Sequence, residues 1–197
     1  METEIEAKFL DIDPTVIREK LKTIGAVLVQ SETLMRRKVF DTKDESLKKV
    51  NGWVRLRDEG NKITLSYKQL NDRTVQGTKE VTVVVSDFDK TNSFLLATDF
   101  IEKSYQETKR ETWKIENSDV TIDTWPWIPS FIEIESPSEN ELEGVAEKLN
   151  MNWKQALHGS VETAYQNYYD VTEDEINAWK EIVFSTPPEW LEAKRRK

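Results

Sequence analysis

The sequence predicts an α+β domain in which antiparallel strands carry charged side chains on one face, while helices cover the opposite, apolar face. Two observations lead to this fold class. Short segments alternate apolar and polar residues with a period of two, as strands with two different faces do. Other segments, before and after these strands, carry apolar residues at helical spacing. The 197 residues show no repeat and no low-complexity linker, so we expect one domain.

The first strand is predicted over residues 2–10, where Glu and Lys alternate with Thr, Ile, Ala and Phe. A helix follows, because Asp13 is a suitable N-cap, Pro14 favours the first helical position and Gly25 favours a helix end. The tripeptide Glu59-Gly60-Asn61 indicates a hairpin. Further strands in this half of the chain are predicted at 32–41, 52–58, 61–69 and 79–86.

The second half continues the mixture of strands and helices. A second hairpin is indicated at Asn117-Ser118. The predicted strands are 108–116, 119–125 and 130–136. The predicted helices are 88–98, 139–150 and 161–169.

The carboxy-terminal end predicts one more helix. Thr172 and Glu175 form a capping-box pattern, and the helix that it begins contains Ile176, Trp179 and Ile182. We expect the basic sequence at the very end, residues 192–197, to be frayed. The chain is therefore divided into a main domain, residues 1–170, and a carboxy-terminal helix and tail, residues 171–197, which pack on it or extend from it.

The composition excludes several classes of function. Without cysteine there is no disulfide framework, thiolate nucleophile or zinc–thiolate site. His158 is the one histidine, so we exclude mechanisms that need two imidazoles and expect it to be structural or solvent-facing. The net charge of −9 argues against binding of duplex nucleic acid. The sequence lacks a membrane-spanning apolar stretch and begins with an acidic segment unlike a secretory leader, so a cytoplasmic location without membrane contact is expected.

The distribution of charge among the strands is more informative than the total. Acidic side chains are concentrated on the first and last strands, whereas arginine and lysine are concentrated on the middle strands. The acidic set is Glu4, Glu6, Glu80, Asp123, Glu133 and Glu135, and the basic set is Lys8, Arg55, Arg57, Lys68 and Arg110. A sheet that was merely solvated on this face would mix both signs within each strand. We therefore expect the two sets to face each other across a shared cavity.

Such a concentration of charge is costly unless a ligand balances it. Carboxylates suit Mg²⁺ and Mn²⁺, which favour oxygen ligands. Arginine and lysine suit polyphosphate, and the arginine fork can contact two phosphate oxygens at once. One ligand, a metal–triphosphate complex, satisfies both sets. The six glycines form no phosphate-binding loop pattern, so side chains have to hold the phosphates.

Short motifs distributed along the chain resemble the CYTH superfamily, also called the triphosphate tunnel metalloenzymes. The segment Glu4-Ile5-Glu6-Ala7-Lys8 resembles the E-x-E-x-K signature at the amino terminus of that family. The ordered motifs that follow are Val54-Arg55-Leu56-Arg57, Leu65-Ser66-Tyr67-Lys68, Thr108-Lys109-Arg110, Ile122-Asp123 and Phe131-Ile132-Glu133-Ile134-Glu135. The resemblance covers residues 1–168 and leaves the last helix and tail as an addition.

The resemblance implies an eight-stranded antiparallel β tunnel flanked by helices, often assembled as a homodimer. It implies metal ligands at Glu4, Glu6, Glu133, Glu135 and Asp123. It implies phosphate contacts from Lys8, Arg55, Arg57, Lys68 and Arg110. The implied catalytic set is Glu4, Glu6, Lys8 and Glu80, and Glu80 resembles an acidic position of the family that assists a second metal ion.

Two departures from the family pattern concern the phosphate site. On the central strand the family often has Arg-x-Glu-x-Glu, where this chain has Thr78-Lys79-Glu80-Val81-Thr82. Before Phe40-Asp41-Thr42 the family often has an acidic residue, where this chain has Arg36-Arg37-Lys38. These basic residues either add phosphate contacts, with Arg37 as the candidate, or lie on the rim without binding. Similarly, Trp125-Pro126-Trp127 is either a packed turn or a surface that stacks on a base or thiazole ring.

The expected chemistry is phosphoryl or nucleotidyl transfer. We expect hydrolysis of a small-molecule substrate, namely inorganic triphosphate or a nucleoside or thiamine triphosphate. The reason is that the sequence displays a phosphate and metal site but no assignable base-reading residue. The alternative is a class IV adenylyl cyclase, which converts ATP to cyclic AMP and pyrophosphate. A third hypothesis is a non-catalytic sensor that binds polyphosphate or nucleotide.

Overall fold

The computed structural model describes residues 1–196 and shows a barrel of antiparallel strands surrounded by helices. The strands are β1 (Glu2–Glu4), β2 (Glu6–Phe9), β3 (Val27–Thr42), β4 (Gly52–Asp58), β5 (Ile63–Leu70), β6 (Thr78–Val85), β7 (Phe100–Ile115), β8 (Ser118–Thr124), β9 (Phe131–Glu135) and β10 (Glu181–Ile182). The helices are α1 (Pro14–Thr23), α2 (Phe88–Ala97), α3 (Glu139–Lys148), α4 (Glu162–Tyr168), α5 (Glu173–Asn177) and α6 (Glu189–Glu192). None of the helices within residues 1–196 is both long and apolar enough to cross a bilayer.

The amino-terminal segment closes the barrel. The sheet order is β1-β6-β5-β4-β3-β7-β8-β9-β2, so its two ends are consecutive pieces of one segment, interrupted at Ile5. β1 pairs with β6, where Glu4 lies opposite Thr78, and β2 pairs with β9, where Glu6 lies opposite Glu135. Counting β1 and β2 as one strand gives eight strands around the barrel, and the predicted antiparallel β tunnel is confirmed.

Most local signals in the sequence act as predicted. The Asp13 carboxylate caps α1 by accepting a hydrogen bond from the Thr15 amide at 2.7 Å, and Pro14 is the first helical residue. Gly25 follows the helix with a φ of +82°, a conformation that glycine adopts without steric cost. Strands β3 and β7 are longer than predicted, at 16 residues each, because they pair with each other over most of their length.

The main apolar core lies outside the barrel. In β2 the side chains of Glu6 and Lys8 point into the barrel, so Ala7 and Phe9 point outward. The outward residues of β2, β7, β8 and β9 pack against the apolar faces of α1 and α3, and the cluster includes Ala7, Phe9, Ile17, Leu21, Trp113, Ile122, Ile132, Ile134, Leu142 and Val145. Since apolar burial contributes roughly 25 cal/mol per Å², this outer layer stabilises the fold and leaves the interior available for polar groups.

Two further clusters complete the outer layer. Helix α2 covers Phe40 and Leu56 with Phe88 and Leu95. The carboxy-terminal segment forms the other cluster with the turn between β8 and β9 and with α4, and it buries Trp125, Phe131, Tyr165, Tyr169, Ile176, Trp179, Ile182 and Leu191. The segment after residue 170 therefore shares a core with the barrel.

The predicted last helix is wrong beyond Asn177. The capping box of Thr172 and Glu175 is present, but α5 ends at Asn177, and Ile182 lies in β10, which pairs in parallel with β7. The reason is the open edge of β7. Strand β8 ends opposite Lys109, so the preceding part of β7 has unpaired backbone groups on that side, to which β10 adds.

The predicted fraying of the basic end is wrong up to residue 196. The Arg195 guanidinium pairs with Glu192 at 2.6 Å and donates a hydrogen bond to the Tyr169 hydroxyl at 2.6 Å. The Arg196 amide donates to the Tyr168 carbonyl at 2.8 Å. These contacts hold the end of the chain to α4. Lys197 lies outside the described residues.

The position of the core predicts unequal effects of two leucine substitutions. Leu142 on α3 is fully buried against the outer wall of the barrel, whereas Leu96 on α2 is 48% exposed. We expect Leu142→Ala to lower the free energy of unfolding by about 2–5 kcal/mol, because it leaves a cavity. Leu96→Ala should lower it by less than about 1 kcal/mol. Urea denaturation measures both, and equal losses would contradict a core between α3 and the barrel.

Candidate active site

The barrel encloses a cavity of about 760 Å³. It is lined by eleven of the twelve predicted site residues, namely Glu4, Glu6, Lys8, Arg37, Arg55, Arg57, Lys68, Glu80, Arg110, Glu133 and Glu135. These side chains point inward because neighbouring strands place residues of the same face opposite each other, as in the pairs Arg37 with Arg57 and Lys68 with Glu80. Their roles as ligands remain predictions, but the structure does bring them together.

Asp123 is the predicted site residue that does not line the cavity. It is fully buried behind Arg110, and its two oxygens accept hydrogen bonds from the Arg110 guanidinium at 2.6 and 2.9 Å. The Thr121 hydroxyl donates a further hydrogen bond to it at 2.7 Å. With both oxygens engaged in this way, Asp123 orients Arg110 and does not itself line the cavity.

Lys8 connects the two acidic strands. Its ammonium lies 3.0 Å from Glu6 Oε1 and 3.1 Å from Glu133 Oε2, and it also donates a hydrogen bond to the Gly159 carbonyl at 2.7 Å. Although burial opposes it, the charges of Glu133 and Glu6 raise the pKa of Lys8 above its usual range. Lys8 is therefore charged at every physiological pH and holds β2 and β9 at a fixed distance.

A second chain of ion pairs crosses the cavity from β1 to β4. The Lys68 ammonium donates to Glu4 Oε1 at 2.9 Å and lies 3.3 Å from Glu80 Oε2. Arg55 Nη2 then donates to Glu80 Oε1 at 3.1 Å. Against burial, the hydrogen bond with Glu4 and the nearby cations hold the pKa of Glu80 well below its usual range. Of the two carboxylates in this series of ion pairs, Glu80 is the one that stays ionised.

Glu4 is the carboxylate that the surrounding cations do not compensate. Burial, followed by its hydrogen bond with Glu80, raises the pKa of Glu4 to about 8. Both of its oxygens face the Lys68 ammonium, with Oε2 at 2.8 Å, but Glu4 shares this one cation with Glu80. The acidic wall of the cavity, which consists of Glu4, Glu6, Glu133 and Glu135, therefore contains more negative charge than Lys8 and Lys68 neutralise.

Arg57 is held by a residue that the sequence analysis did not identify. Glu59 accepts hydrogen bonds from the Arg57 guanidinium at 2.7 and 3.0 Å and from the Thr64 hydroxyl at 2.9 Å. Burial, together with the charges of Arg55 and Arg110, lowers the pKa of Arg57 to about 10 despite this pair. The signal available in the sequence was a glutamate two residues after Arg57 in a hairpin turn, but such a residue is more often solvated.

Arg37 is the cation that lacks a carboxylate partner among the described residues. Its side chain is buried, donates one hydrogen bond to the Thr108 hydroxyl at 2.6 Å and lies 4.6 Å from the centre of the Trp125 ring. Its Nε atom is buried without a hydrogen-bond partner in residues 1–196. Burial and the positive charges of the three neighbouring arginines hold the pKa of Arg37 well below its usual range. An anion in the cavity would offset the positive charge of these arginines.

The alternatives left open for the basic tripeptide are resolved by strand alternation. Arg37 lines the cavity. Its neighbours point outward, where Arg36 pairs with Asp58 at 3.2 Å and Lys38 with Glu102 at 2.9 Å. One residue of the three thus lines the cavity, and the other two lie on the outer surface of the barrel.

The tryptophan turn and the histidine have structural contacts. Tyr165 and Tyr169 donate hydrogen bonds to the carbonyls of Pro126 and Trp127, at 2.9 and 2.7 Å, which describes a packed turn. The Trp125 ring borders the cavity, but Arg37 lies over it. His158 lies edge-on to the Trp153 ring at 6.0 Å and contacts the Glu6 carbonyl at 3.2 Å, so it supports β2.

The acidic wall fits a divalent cation by its chemistry. Carboxylates are suitable ligands for Mg²⁺ or Mn²⁺, and a bound cation would supply the positive charge that Glu4 lacks while it shares Lys68 with Glu80. In residues 1–196 no three acidic side chains are already gathered around one point, because their oxygens are turned toward Lys8, Lys68 and Arg55. Glu4, Glu6, Glu133 and Glu135 are therefore the candidate ligands, and the first three of them would exchange a lysine contact for a metal contact.

Comparison with known proteins identifies the family. A sequence model of the CYTH domain matches residues 2–169, so the chain belongs to the CYTH family. Members of this family are triphosphatases or adenylyl cyclases, and its enzymes depend on metal ions. No protein of curated function matches the sequence significantly.

Solved structures show the same fold at low sequence identity. A Vibrio parahaemolyticus protein named as a candidate adenylate cyclase has a TM-score of 0.72 and 13% identity, over 84% of this chain and 98% of its own. A conserved hypothetical protein from Pyrococcus furiosus has a TM-score of 0.64 and 20% identity, over 78% and 94%. A Hippeastrum protein, named as a candidate adenylyl cyclase and reported to have a dominant triphosphatase activity, has a TM-score of 0.58 and 16% identity, over 85% and 96%.

The isolation of Arg37 predicts that it is kept for an anion at a cost in stability. We expect Arg37→Met to raise the melting temperature of the ligand-free protein, because it removes a buried charge that has no partner. We also expect inorganic triphosphate to raise the melting temperature less in this variant, since loss of a charge-assisted hydrogen bond weakens binding about tenfold or more. Circular dichroism during heating measures both effects.

Arg36→Met is the matched control for this experiment. Arg36 is the adjacent residue, points outward and pairs with Asp58 at the surface. We expect its substitution to change stability by less than about 0.5 kcal/mol and to leave the triphosphate-induced shift as in the wild type. A Met substitution at position 37 with no effect on that shift would remove Arg37 from the phosphate site.

The raised pKa of Glu4 predicts a pH-dependent difference in stability, measured in EDTA. Folded Glu4 keeps a proton that the unfolded chain releases above pH 4.5, so stability falls as pH rises toward 8, by at most about 1.4 kcal/mol per pH unit. Glu4→Gln removes this contribution. The variant should therefore be more stable than the wild type at pH 8 and nearly equal to it at pH 5, as judged by urea denaturation at each pH.

We expect Glu133→Gln to change the stability at pH 8 in the opposite direction to Glu4→Gln. Against burial, Lys8 and Arg110 hold the pKa of Glu133 below its usual range, so its charged form stabilises the fold. We expect this substitution to lower stability at pH 8, because Lys8 loses one of its two carboxylates. Equal behaviour of the two variants would contradict the division of the acidic wall into compensated and uncompensated carboxylates.

Proposed function

We propose that this CYTH protein hydrolyses the terminal phosphate bond of a triphosphate inside the barrel, with the assistance of Mg²⁺ or Mn²⁺. The observation that supports this most directly is the arginine wall of the cavity, which consists of Arg37, Arg55, Arg57 and Arg110. Among residues 1–196, Arg37 forms no ion pair with an acidic side chain, and it lies in the same cavity as Arg55, Arg57 and Arg110. A buried excess of arginine opposite a buried excess of carboxylate favours a ligand that is itself an anion bound to a divalent cation.

The arginine wall would bind and orient the phosphates. Phosphoryl transfer depends mainly on positioning and on stabilising negative charge, so fixed guanidinium groups can supply most of what the reaction needs. Arg110 is fixed by Asp123 and Arg57 by Glu59, so these two side chains are already ordered before a ligand enters. The Arg37 guanidinium lines the cavity and, within residues 1–196, has no carboxylate partner that would compete with the substrate. Together they would stabilise the charge that develops on the departing diphosphate.

The acidic wall would hold the cation and the attacking water. Glu4, Glu6, Glu133 and Glu135 would be the ligands, and a bound Mg²⁺ or Mn²⁺ would supply Lewis acidity toward phosphate oxygens. Glu80 stays ionised and lies beside Lys68, so it can accept a hydrogen bond from a water molecule aligned with the terminal phosphorus. Attack by that water breaks the terminal P–O bond and releases phosphate and diphosphate, while the proton of the water passes to a carboxylate or to phosphate.

A class IV adenylyl cyclase is the second candidate. The cavity of about 760 Å³ lies within the 300–1,000 Å³ that is typical of sites for organic ligands, so a nucleoside is not excluded by size. In that reaction the ribose 3′-hydroxyl attacks the α-phosphorus and pyrophosphate leaves. The Vibrio parahaemolyticus neighbour is named as a candidate adenylate cyclase, which agrees with this candidate, whereas the dominant triphosphatase activity reported for the Hippeastrum neighbour supports hydrolysis. We favour hydrolysis because it needs only the residues that bind the phosphates and the metal ion, and no residue that recognises a base.

The activity is tested with purified protein, Mg²⁺ or Mn²⁺, and two substrates, inorganic triphosphate and ATP. Phosphate, pyrophosphate and cyclic AMP are measured separately. We expect release of phosphate from a triphosphate, with a loss of at least about 100-fold in EDTA, since a metal ion contributes several kcal/mol to such reactions. The reaction should recover when the cation is restored.

The other outcomes separate the remaining hypotheses. Formation of cyclic AMP and pyrophosphate in equal amounts would replace the hydrolase by a cyclase. Tight, cation-dependent binding of triphosphate without turnover would indicate a sensor. Absence of both binding and turnover would contradict the proposed site altogether.

A further inference from the structure

Strand β6 has a free edge over its second half. Strand β5 pairs with β6 along its whole length, whereas β1 pairs on the other side with residues 78–80 only. In an antiparallel sheet, alternate residues direct their backbone N–H and C=O groups to opposite sides, so residues 81–85 direct some of these groups away from β5. Within residues 1–196, no backbone hydrogen bond joins this edge to another segment. The free edge therefore offers unpaired donors and acceptors to a further strand.

The side chains of the free edge are apolar or neutral. Its sequence is Val81-Thr82-Val83-Val84-Val85, and Val81, Val83 and Val84 are 49%, 53% and 71% exposed. Lysine, proline and β-bulges, which commonly protect free edges, are absent from these five residues. By contrast, the structure covers another open edge, that of β7, with β10. An uncovered edge rich in valine indicates a place where another strand adds.

The free edge is suited to pairing with a copy of itself. It lies between two fixed limits, which are the end of β1 opposite Glu80 and the end of β6 at Val85. Antiparallel pairing of this edge with the same edge of a second copy has a twofold axis at Val83. Each of the five residues then lies opposite a valine or threonine of the other copy. The paired region ends where β1 begins, so β1 keeps its place in both barrels.

The charges that flank the free edge are complementary in the same register. Lys79 precedes the edge and is exposed, and Asp87 follows it at the start of α2. Both lie four positions from Val83, so the twofold axis brings Lys79 of each copy near Asp87 of the other. One Asp87 oxygen caps α2 by accepting from the Lys90 amide at 2.8 Å, and the other is 3.8 Å from the exposed Lys90 ammonium. The second oxygen can therefore accept a contact from Lys79 of the other copy.

We propose that the free edge of β6, residues 81–85, is the surface through which two copies of this chain associate, by antiparallel pairing about Val83. The backbone groups supply hydrogen bonds between the two strands, as in other cases of strand addition. The exposed valines supply apolar contact, and the two ion pairs between Lys79 and Asp87 favour this register over others. The inference does not depend on what the cavity binds.

Association is measured on the purified full chain by sedimentation velocity at micromolar concentration. We expect the wild type to sediment as a dimer, with about twice the chain mass of 23.0 kDa. Val83→Lys places two like charges opposite each other at the twofold axis, so it should weaken association by about tenfold or more. The matched control is Val29→Lys, because Val29 is a 62% exposed valine on β3, and this variant should remain dimeric. Circular dichroism shows whether both variants are folded.

The register is tested by cross-linking, which is possible because the chain has no cysteine. In Val83→Cys the two thiols lie opposite each other, with about 5 Å between the Cα atoms, which is within reach of a disulfide. In Val84→Cys, the matched control, the thiols are two residues out of register and lie beyond the limit of about 7 Å. We expect mild oxidation to link Val83→Cys into dimers about tenfold faster than Val84→Cys. Both variants keep a small apolar side chain, so this test holds even if Val83→Lys fails to fold.

The ion pairs are tested by an exchange of charge. Lys79→Asp and Asp87→Lys should each weaken association, because they place like charges near each other across the twofold axis. The double variant should associate more tightly than either single variant, since the charges are again opposite. Loss of the α2 cap is common to Asp87→Lys and the double variant, so their difference reports the ion pairs alone.

Four results would overturn the proposal. They are a monomeric wild type, a dimer that Val83→Lys leaves unchanged or that Val29→Lys abolishes, equal rates of cross-linking in the two cysteine variants, and a double charge variant that associates no more tightly than the single ones. A monomeric wild type would leave the free edge to a strand of a different protein, and the second copy would be the wrong partner.

Discussion

The structure depends on one constraint, which is that each buried charge inside the barrel needs a partner of opposite charge. Strand alternation sends Glu, Lys and Arg inward and the apolar residues outward. Most of the inward charges are paired, as Lys8 is with Glu6 and Glu133. The remainder is a guanidinium without a carboxylate, at Arg37, and a carboxylate that lacks sufficient positive charge, at Glu4. A complex of a polyanion with a divalent cation satisfies both residues at once, because the anion can pair with Arg37 and the cation with Glu4.

The parts of the site that follow from strand alternation could be predicted from the sequence. Once residues 4–8 and 55–57 are recognised as strands, the period of two fixes which side chains share a face. The same rule selects Arg37 from three consecutive basic residues, although the sequence leaves its function open. Closure by a strand that changes partners at Ile5 was not predictable, because it depends on pairing with residues about 75 and 130 positions away.

The parts of the site that depend on individual tertiary contacts could not be predicted. Asp123 shares its face with the metal-ligand candidates, yet its two oxygens are engaged by Arg110 and it does not line the cavity. Glu59 lies in a turn, where glutamate is ordinarily solvated, so only its tertiary contacts show that it is buried. The final helix was overestimated for a related reason. Helical spacing at Ile176 and Trp179 was real, but the open edge of β7 offered Ile182 better hydrogen bonding.

This division between strand-borne and loop-borne residues has a functional consequence. The proposed phosphate-binding residues lie on paired strands, so their geometry changes little with the surrounding sequence. The same residues can therefore serve water attack at the terminal phosphorus or ribose attack at the α-phosphorus. What differs between those reactions is the position of the organic part relative to the grip. In this chain a carboxy-terminal segment, held to the barrel through ion pairs and a shared apolar core, forms part of the cavity wall. We therefore expect the choice of substrate to depend on cavity residues that the family's motifs do not include.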